Sequence, residues 1–252
     1  MALFAIGDLH LSHGTKPMDI FGEHWTDHEQ RAAQHWRELV GAQDTVLLLG
    51  DTSWALKLPQ ALQDLEFLAA LPGRKLMIKG NHDFWWTSRR KVESVLPPSL
   101  ALIEHDSRIV EGVGLVGTRG WLCPGAEGFT EKDQKTYDRE VGRLAQAFDH
   151  LGDFDGPVIA LLHYPPVSEH HAPSGFTEIL EQRGASLCLY GHLHAQLGWE
   201  SRFEGGRAGV CYRLASSDWL DFRPWKVEVG RLKPRAELLQ SRRRSAVEEE
   251  RE

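Results

Sequence analysis

The sequence predicts an α/β fold in which β-sheets are sandwiched between helices. Three observations carry this. Five short apolar runs each end in a polar, glycine-containing turn. Helical patterns lie between the early runs, so the first part of the chain reads as βαβ. Further strand-like segments follow in the middle and at the end, which calls for more sheet than one βαβ unit holds.

The five runs are "LFAIGD" (Leu3 to Asp8), "TVLLLGD" (Thr45 to Asp51), "KLMIKGNHD" (Lys75 to Asp83), "PVIALLHY" (Pro157 to Tyr164) and "ASLCLYGHLH" (Ala185 to His194). Their apolar cores are too short for ordinary helices. Near-continuous apolarity marks strands buried on both faces. A helix opens at Asp27, expected to cap it, and carries Ala32, Trp36, Leu39 and Val40 on one face. A second starts with Pro59 at its first position and stops before Pro72. A long amphipathic helix is predicted from Glu131 to Leu151, and a weaker one from Gly175 to Gln182. The segment Leu102 to Trp121 reads as strands, as do "GVCYRLASSDW" and "WKVEVGRL" near the end. The stretch "DWLDFRPWKVEV" is read as sheet core rather than a dimer surface. No internal repeat is present.

The 252 residues suit one large domain, placed at 1–236, followed by a charged tail at 237–252 expected to fray. A hydrophobic share of 41% supports a sizeable core. The net charge of −7 argues against long nucleic acid as a partner. Cys123, Cys188 and Cys211 are widely spaced and form no CxxC, which suits a reducing compartment. The N-terminus has no signal-peptide pattern, and no apolar run approaches the ~20 residues of a membrane span. A cytoplasmic protein with no membrane partner is expected.

The ends of the five runs hold the chemistry. Asp8 and His10 follow the first, Asp51 the second, and Asn81, His82 and Asp83 the third. His163 ends the fourth, and His192 and His194 the fifth. Histidine pairs such as these can be packing residues or metal ligands, and the companions decide. Imidazole, carboxylate and amide oxygen at one end of neighbouring strands suit manganese, iron or zinc without a thiolate. A carboxylate can bridge two cations, and Asp51 lies in the middle of the set. Two cations ~3.5–4 Å apart form a clamp for phosphoryl chemistry. Gly50, Gly80 and Gly191 each precede a ligand, where a residue without Cβ lets the chain turn sharply.

The blocks Asp8-x-His10, Gly50-Asp51, Gly80-Asn81-His82-Asp83, His163 and Gly191-His192-x-His194 occur in one order over residues 8 to 194. In that order they resemble the calcineurin-like metallophosphoesterase family. The resemblance implies a four-layer αββα sandwich of two mixed sheets flanked by helices, with two divalent metal ions at the strand ends. It places Asp8, His10, Asp51 and His194 on the first ion, and Asp51, Asn81, His163 and His192 on the second. His82 is implied to stand near the phosphate and to protonate the leaving oxygen or stabilise charge. Asp83, where relatives often carry Glu, is implied to orient His82. Manganese is the leading ion, with iron or zinc as alternatives.

The activity so implied is hydrolysis of a phosphate ester by a metal-bound hydroxide that attacks phosphorus in line. A small or nucleotide-derived phosphodiester is the first substrate class, and a phosphomonoester the alternative. Ser/Thr phosphatases of this superfamily carry Asp-Arg-Gly after Gly-Asp, whereas here Gly50-Asp51 runs into "TSWAL". A catalytically silent scaffold would lack several ligands, and this chain lacks none. Arg119 in "GTRGW" is the candidate cation for a substrate phosphate, weighed against a plain surface role. Trp85 and Trp86 are read as packing residues rather than a base-stacking platform. The loops "SHGTKPMDIFGEHWT" (12–26) and "PPVSEHHAPSG" (165–175) follow strand ends and could line the cleft, though His170 and His171 read as solvated.

Overall fold

A computed structural model describes residues 1–13 and 16–249. Strands β1 (Leu3–Ile6), β2 (Thr45–Leu48), β3 (Arg74–Met77) and β4 (Leu100–Leu102) run parallel, and β11 (Trp225–Val227) closes the β1 edge antiparallel. A second sheet has the order β5 (Ser107–Val110), β6 (Val113–Thr118), β7 (Val158–Leu162), β8 (Leu187–Tyr190), β10 (Val210–Leu214), β9 (Gly205–Arg207). Its central strands β6, β7, β8 and β10 are parallel, and the edges β5 and β9 are antiparallel. Helices α1 (His28–Leu39) and α2 (Leu58–Ala70) serve the first sheet, and α4 (Glu131–Leu151) and α5 (Gly175–Gln182) the second. Shorter helices are α3 (Arg89–Glu93) and α6 (Ala195–Glu200).

Strand periodicity explains the layering. Leu3, Ala5 and Leu47 face inward with Leu115, Ile159, Leu161, Leu187 and Leu189, and this cluster fills the space between the sheets. The alternate residues Phe4, Ile6, Val46 and Leu48 pack with Trp36, Leu65 and Leu68 from the helices. On the second sheet Val158, Ala160, Leu162 and Cys188 pack with Leu144, Phe148 and Leu180. Each central strand is therefore covered on both faces, as its unbroken apolar run requires. The result is the four-layer αββα sandwich.

Some local expectations differ from what is found. Helix α1 starts where predicted, yet Asp27 sits in a left-handed conformation and its side chain makes no capping hydrogen bond. Pro59 is the second residue of α2, not the first. The 12–26 loop contains two 3-10 turns, Met18–Phe21 and Glu23–Trp25, because Met18 and Trp25 are buried in the first-sheet core. The tail expected to fray begins as helix α7 (Arg235–Glu249), so the boundary at 236/237 falls inside it. Leu238 is buried, and Arg242 donates to Glu181 Oε2 and the Ala208 carbonyl. Residues 250–252 of that tail lie outside the described residues. No described helix is long and apolar enough to cross a membrane.

The sheets meet at the carboxyl ends of their strands. Gly7 N donates to the Ala215 carbonyl, and His163 Nδ1, from the second sheet, reaches the Leu49 carbonyl of the first. Gly80 lies so close to the next strand end that an added Cβ would overlap the backbone nitrogen and carboxylate of Asp51. That approach is what a side chain at this position forbids. Gly80→Ala is expected to lower stability by ~3 kcal/mol in urea unfolding, while a loss below ~1 kcal/mol would mean that the strand ends are not in fixed contact.

Candidate metal centre and active site

Five of the parallel strands deliver their polar residues at the same end. Asp8 and His10 follow β1, Asp51 follows β2, Asn81 and His82 follow β3, His163 follows β7, and His192 and His194 follow β8. Four of these residues, Asp8, His10, Asp51 and His192, have positive φ between 47° and 73°. A non-glycine residue there costs on the order of 1 kcal/mol, so the fold holds these side chains against local preference. Such strain gathers where a site needs fixed geometry.

The hydrogen-bond partners fix the tautomers. His163 Nδ1 lies 2.9 Å from the Leu49 carbonyl, which only accepts, so Nδ1 carries the proton. Its Nε2 then presents a lone pair, 2.5 Å from Asn81 Oδ1 and 3.5 Å from Asp51 Oδ1. Asn81 Oδ1 also lies 2.9 Å from His192 Nδ1. His194 Nδ1 donates to Asp218 Oδ1 at 3.0 Å, and the Ala195 amide donates to Asp218 Oδ2. That aims His194 Nε2 at Asp8 Oδ1 and His10 Nε2, each 3.3 Å away. His10 Nδ1 is buried with no hydrogen-bond partner among the described residues.

Lone pairs and carboxylate oxygens thus face one another in two compact groups, Asp8, His10 and His194, and Asp8, Asp51 and His163. Asp51 reaches both, with Oδ2 3.8 Å from His10 Nε2 and Oδ1 3.5 Å from His163 Nε2. Acceptors at such distances repel unless a proton or a cation lies between them. Burial of this donor set, all nitrogen and oxygen, fits divalent cations.

Without cations, the electrostatics register the conflict. Burial and the Asp8 carboxylate push the Asp51 carboxyl above the ordinary range. Burial opposes ionisation of Asp8, but His194, His163 and His10 outweigh it and hold Asp8 well below that range. Burial also opposes charge on His194, yet Asp8 and Asp218 raise it to about 10. Burial, with His163 beside it, lowers His192 to about 3. Only one of the facing carboxylates ionises freely, and a proton stands in beside Asp8 for the missing positive charge.

His82 is held through its backbone, whose N–H donates to Asp51 Oδ1 at 2.7 Å. Its half-buried ring lies 4.4 Å from Trp54 and lines a cleft of about 240 Å³ with His10, Met18, Phe21, Trp25, Trp54, His194 and Ala195. Burial, then His163 and Lys16, keep this imidazole below its usual pKa.

Two expectations need correction. Asp83 was expected to orient His82, but its fully buried carboxylate binds elsewhere. Oδ1 accepts from the amides of Thr52 and Ser53 and from Trp85 Nε1, and Oδ2 accepts from the Gly80 amide. Asp83 therefore ties the β2 and β3 strand-end loops together, because these donors surround it before any imidazole can. The Arg119 guanidinium packs over Trp121 at 4.5 Å and sits 3.9 Å from Glu140. It lines a separate polar cavity with Lys79, Arg143 and Glu140, away from the ligand groups. Its carbonyl serves the site instead, accepting from the His163 and Tyr164 amides. Trp85 and Trp86 are buried, as expected of packing residues.

Two contributors were not singled out in the sequence. Asp218 follows β10, in a segment read there simply as strand. Applying the strand-end rule to this strand as well would have found it. Trp54 stacks on His10 with ring centroids 4.7 Å apart and rings inclined by 22°. Its position three residues after Asp51 was the available signal.

The profile of the calcineurin-like phosphoesterase family matches residues 1–196. The Gene 66 protein of Mycobacterium phage D29 is 29% identical over 192 residues, covering 75% of this chain and 77% of that protein. The Gene 66 protein of Mycobacterium phage L5 is 25% identical over 193 residues, covering 75% and 76%. The phosphopantetheinyl hydrolase of Mycobacterium tuberculosis has a similar fold, with a TM-score of 0.56 at 16% identity over 90% of this chain and 95% of that one. The chain belongs to the calcineurin-like phosphoesterase family, and it is a metal-dependent phosphoesterase.

Because Asp218 sets the His194 tautomer, Asp218→Asn is expected to weaken cation affinity by about 10–100-fold with the fold retained. A chelator competition assay reads this, and unchanged affinity would remove Asp218 from the site.

Proposed function

We propose that this phosphoesterase hydrolyses small or nucleotide-derived phosphodiesters, using two divalent ions with manganese first among them. Asp8, His10, Asp51 and His194 would hold one ion, and Asp51, Asn81, His163 and His192 the other. Ions bound there would activate water and neutralise charge on the phosphoryl oxygens. The chain's own residues supply the rest. Asp51, whose oxygens reach toward both groups, would bridge them. The Leu49 carbonyl and Asp218 keep His163 Nε2 and His194 Nε2 free to ligate. His82, kept largely neutral by burial, donates an N–H to the leaving oxygen across the cleft. Trp54 and the Met18–Trp25 turns narrow the space that water could enter.

The observation that carries the diester reading is the cleft beside the ligands. Its lining is aromatic, imidazole and thioether, with no Lys or Arg side chain among the residues that form it. One ammonium, that of Lys16, sits against the wall, 3.0 Å from the Trp54 ring centroid and 5.7 Å from that of Phe21. A monoester dianion calls for additional cations. A diester carries one charge and a second organic arm, which a mostly apolar wall with a single ammonium at its edge accommodates. Buried Cys123 and Cys188 and the unpaired state of all three cysteines suit the cytoplasm, where we place the enzyme.

The test compares bis-p-nitrophenyl phosphate with p-nitrophenyl phosphate on the same manganese-loaded protein. Diester turnover is expected to exceed monoester turnover by about tenfold or more in kcat/KM. Faster monoester cleavage would make the enzyme a phosphatase.

A further inference from the structure

We infer that the mouth of the cleft binds an apolar arm of the substrate, an inference that rests on the diester reading above. Ile20, Phe21, Leu56, Phe84 and Leu197 are each more than half exposed. Ile20 and Phe21 lie in the segment after β1, Leu56 after β2, Phe84 after β3 and Leu197 in α6 after β8, each following a ligand-bearing strand. Phe21 lines the cleft itself and lies near-parallel to Trp54, with centroids 6.4 Å apart and rings inclined by 14°. Phe84 stands edge-on to His82, 6.1 Å between centroids.

Large apolar side chains scattered singly over a surface need no explanation, but Phe21 in the cleft wall and Phe84 against His82 both stand exposed beside the site. Asp83, next to Phe84 in the chain, is buried, whereas Phe84 is turned outward. The metal ligands and the apolar rim therefore present two chemistries side by side. One suits a phosphoryl group, and the other an alkyl or aryl arm esterified to it. Such an arm gains affinity by leaving water for the rim, in proportion to the area covered.

Inhibition by a homologous series tests this directly. Methyl, butyl, hexyl and phenyl phosphate share one anionic head and differ only in the arm. Each is assayed against hydrolysis of bis-p-nitrophenyl phosphate by the manganese-loaded full chain. The inhibition constant is expected to fall about tenfold or more from methyl to hexyl. The hexyl and phenyl members separate a preference for a chain from one for a ring. In the Phe21→Ala, Phe84→Ala double variant the methyl-to-hexyl ratio is expected to collapse toward one. Both side chains are exposed, so the fold does not depend on them.

Active diester hydrolysis with a flat inhibitor series would overturn the inference and leave the diester reading intact. Absence of diester hydrolysis would overturn the diester reading itself. A wild-type dimer that becomes a monomer in the double variant, seen by sedimentation, would assign the rim to a second copy of the chain and also overturn the inference.

Discussion

The structure depends on a cluster of buried imidazole nitrogens and carboxylate oxygens that face one another across hydrogen-bond distances. His163 Nε2 faces Asn81 Oδ1 and Asp51 Oδ1, and His194 Nε2 faces Asp8 Oδ1 and His10 Nε2. The Leu49 carbonyl and Asp218 each take one ring N–H, and the second proton that Asp8 holds on His194 occupies the place a cation would take. Burying several such groups against one another is costly for a domain of marginal stability. Divalent cations resolve the conflict, and the surrounding framework reads as a device for keeping it in place. Asp83 is a member of that framework. Its four hydrogen bonds lock the β2 and β3 loops, so the carboxylate nearest in sequence to His82 acts on the backbone beneath it.

The sandwich supplies the convergence. Parallel strands in each sheet bring their carboxyl ends to one edge, and the two sheets lean together there through Gly7, Ala215, Leu49 and His163. Left-handed backbone at Asp8, His10, Asp51 and His192 turns the side chains into the gap. The cost of each such residue is local, while the return is shared by the whole site. The apolar rim lies one layer further out. Its loops are long enough to carry exposed side chains because the strand ends below them are already fixed.

Much of this was legible in the sequence, and the reasons are physical. Strands covered on both faces must be apolar throughout, so β1, β2, β3, β7 and β8 stand out as runs. The period of α4 survives over 21 residues because one face meets the second sheet. Ligands at strand ends are adjacent in sequence to the runs that deliver them, which made Asp8 through His194 readable. What was not readable depends on which loops meet. Asp218 joins the site only because β10 lies beside β8. The partners of Asp83 come from two loops, and its distance from His82 along the chain says nothing of which donors reach it first. Arg119 sits one residue past a strand end, but Glu140 on α4 and Trp121 hold its guanidinium aside. The turns within residues 18–25 follow from Met18 and Trp25 finding core, a property of the assembled layers.

The most direct test of the central claim is calorimetric titration of metal-stripped protein with manganese. The account requires two ions per chain, one for each group of facing acceptors. A stoichiometry of two supports it. Saturation at one ion, or no binding, would contradict it and leave the converging lone pairs without a partner.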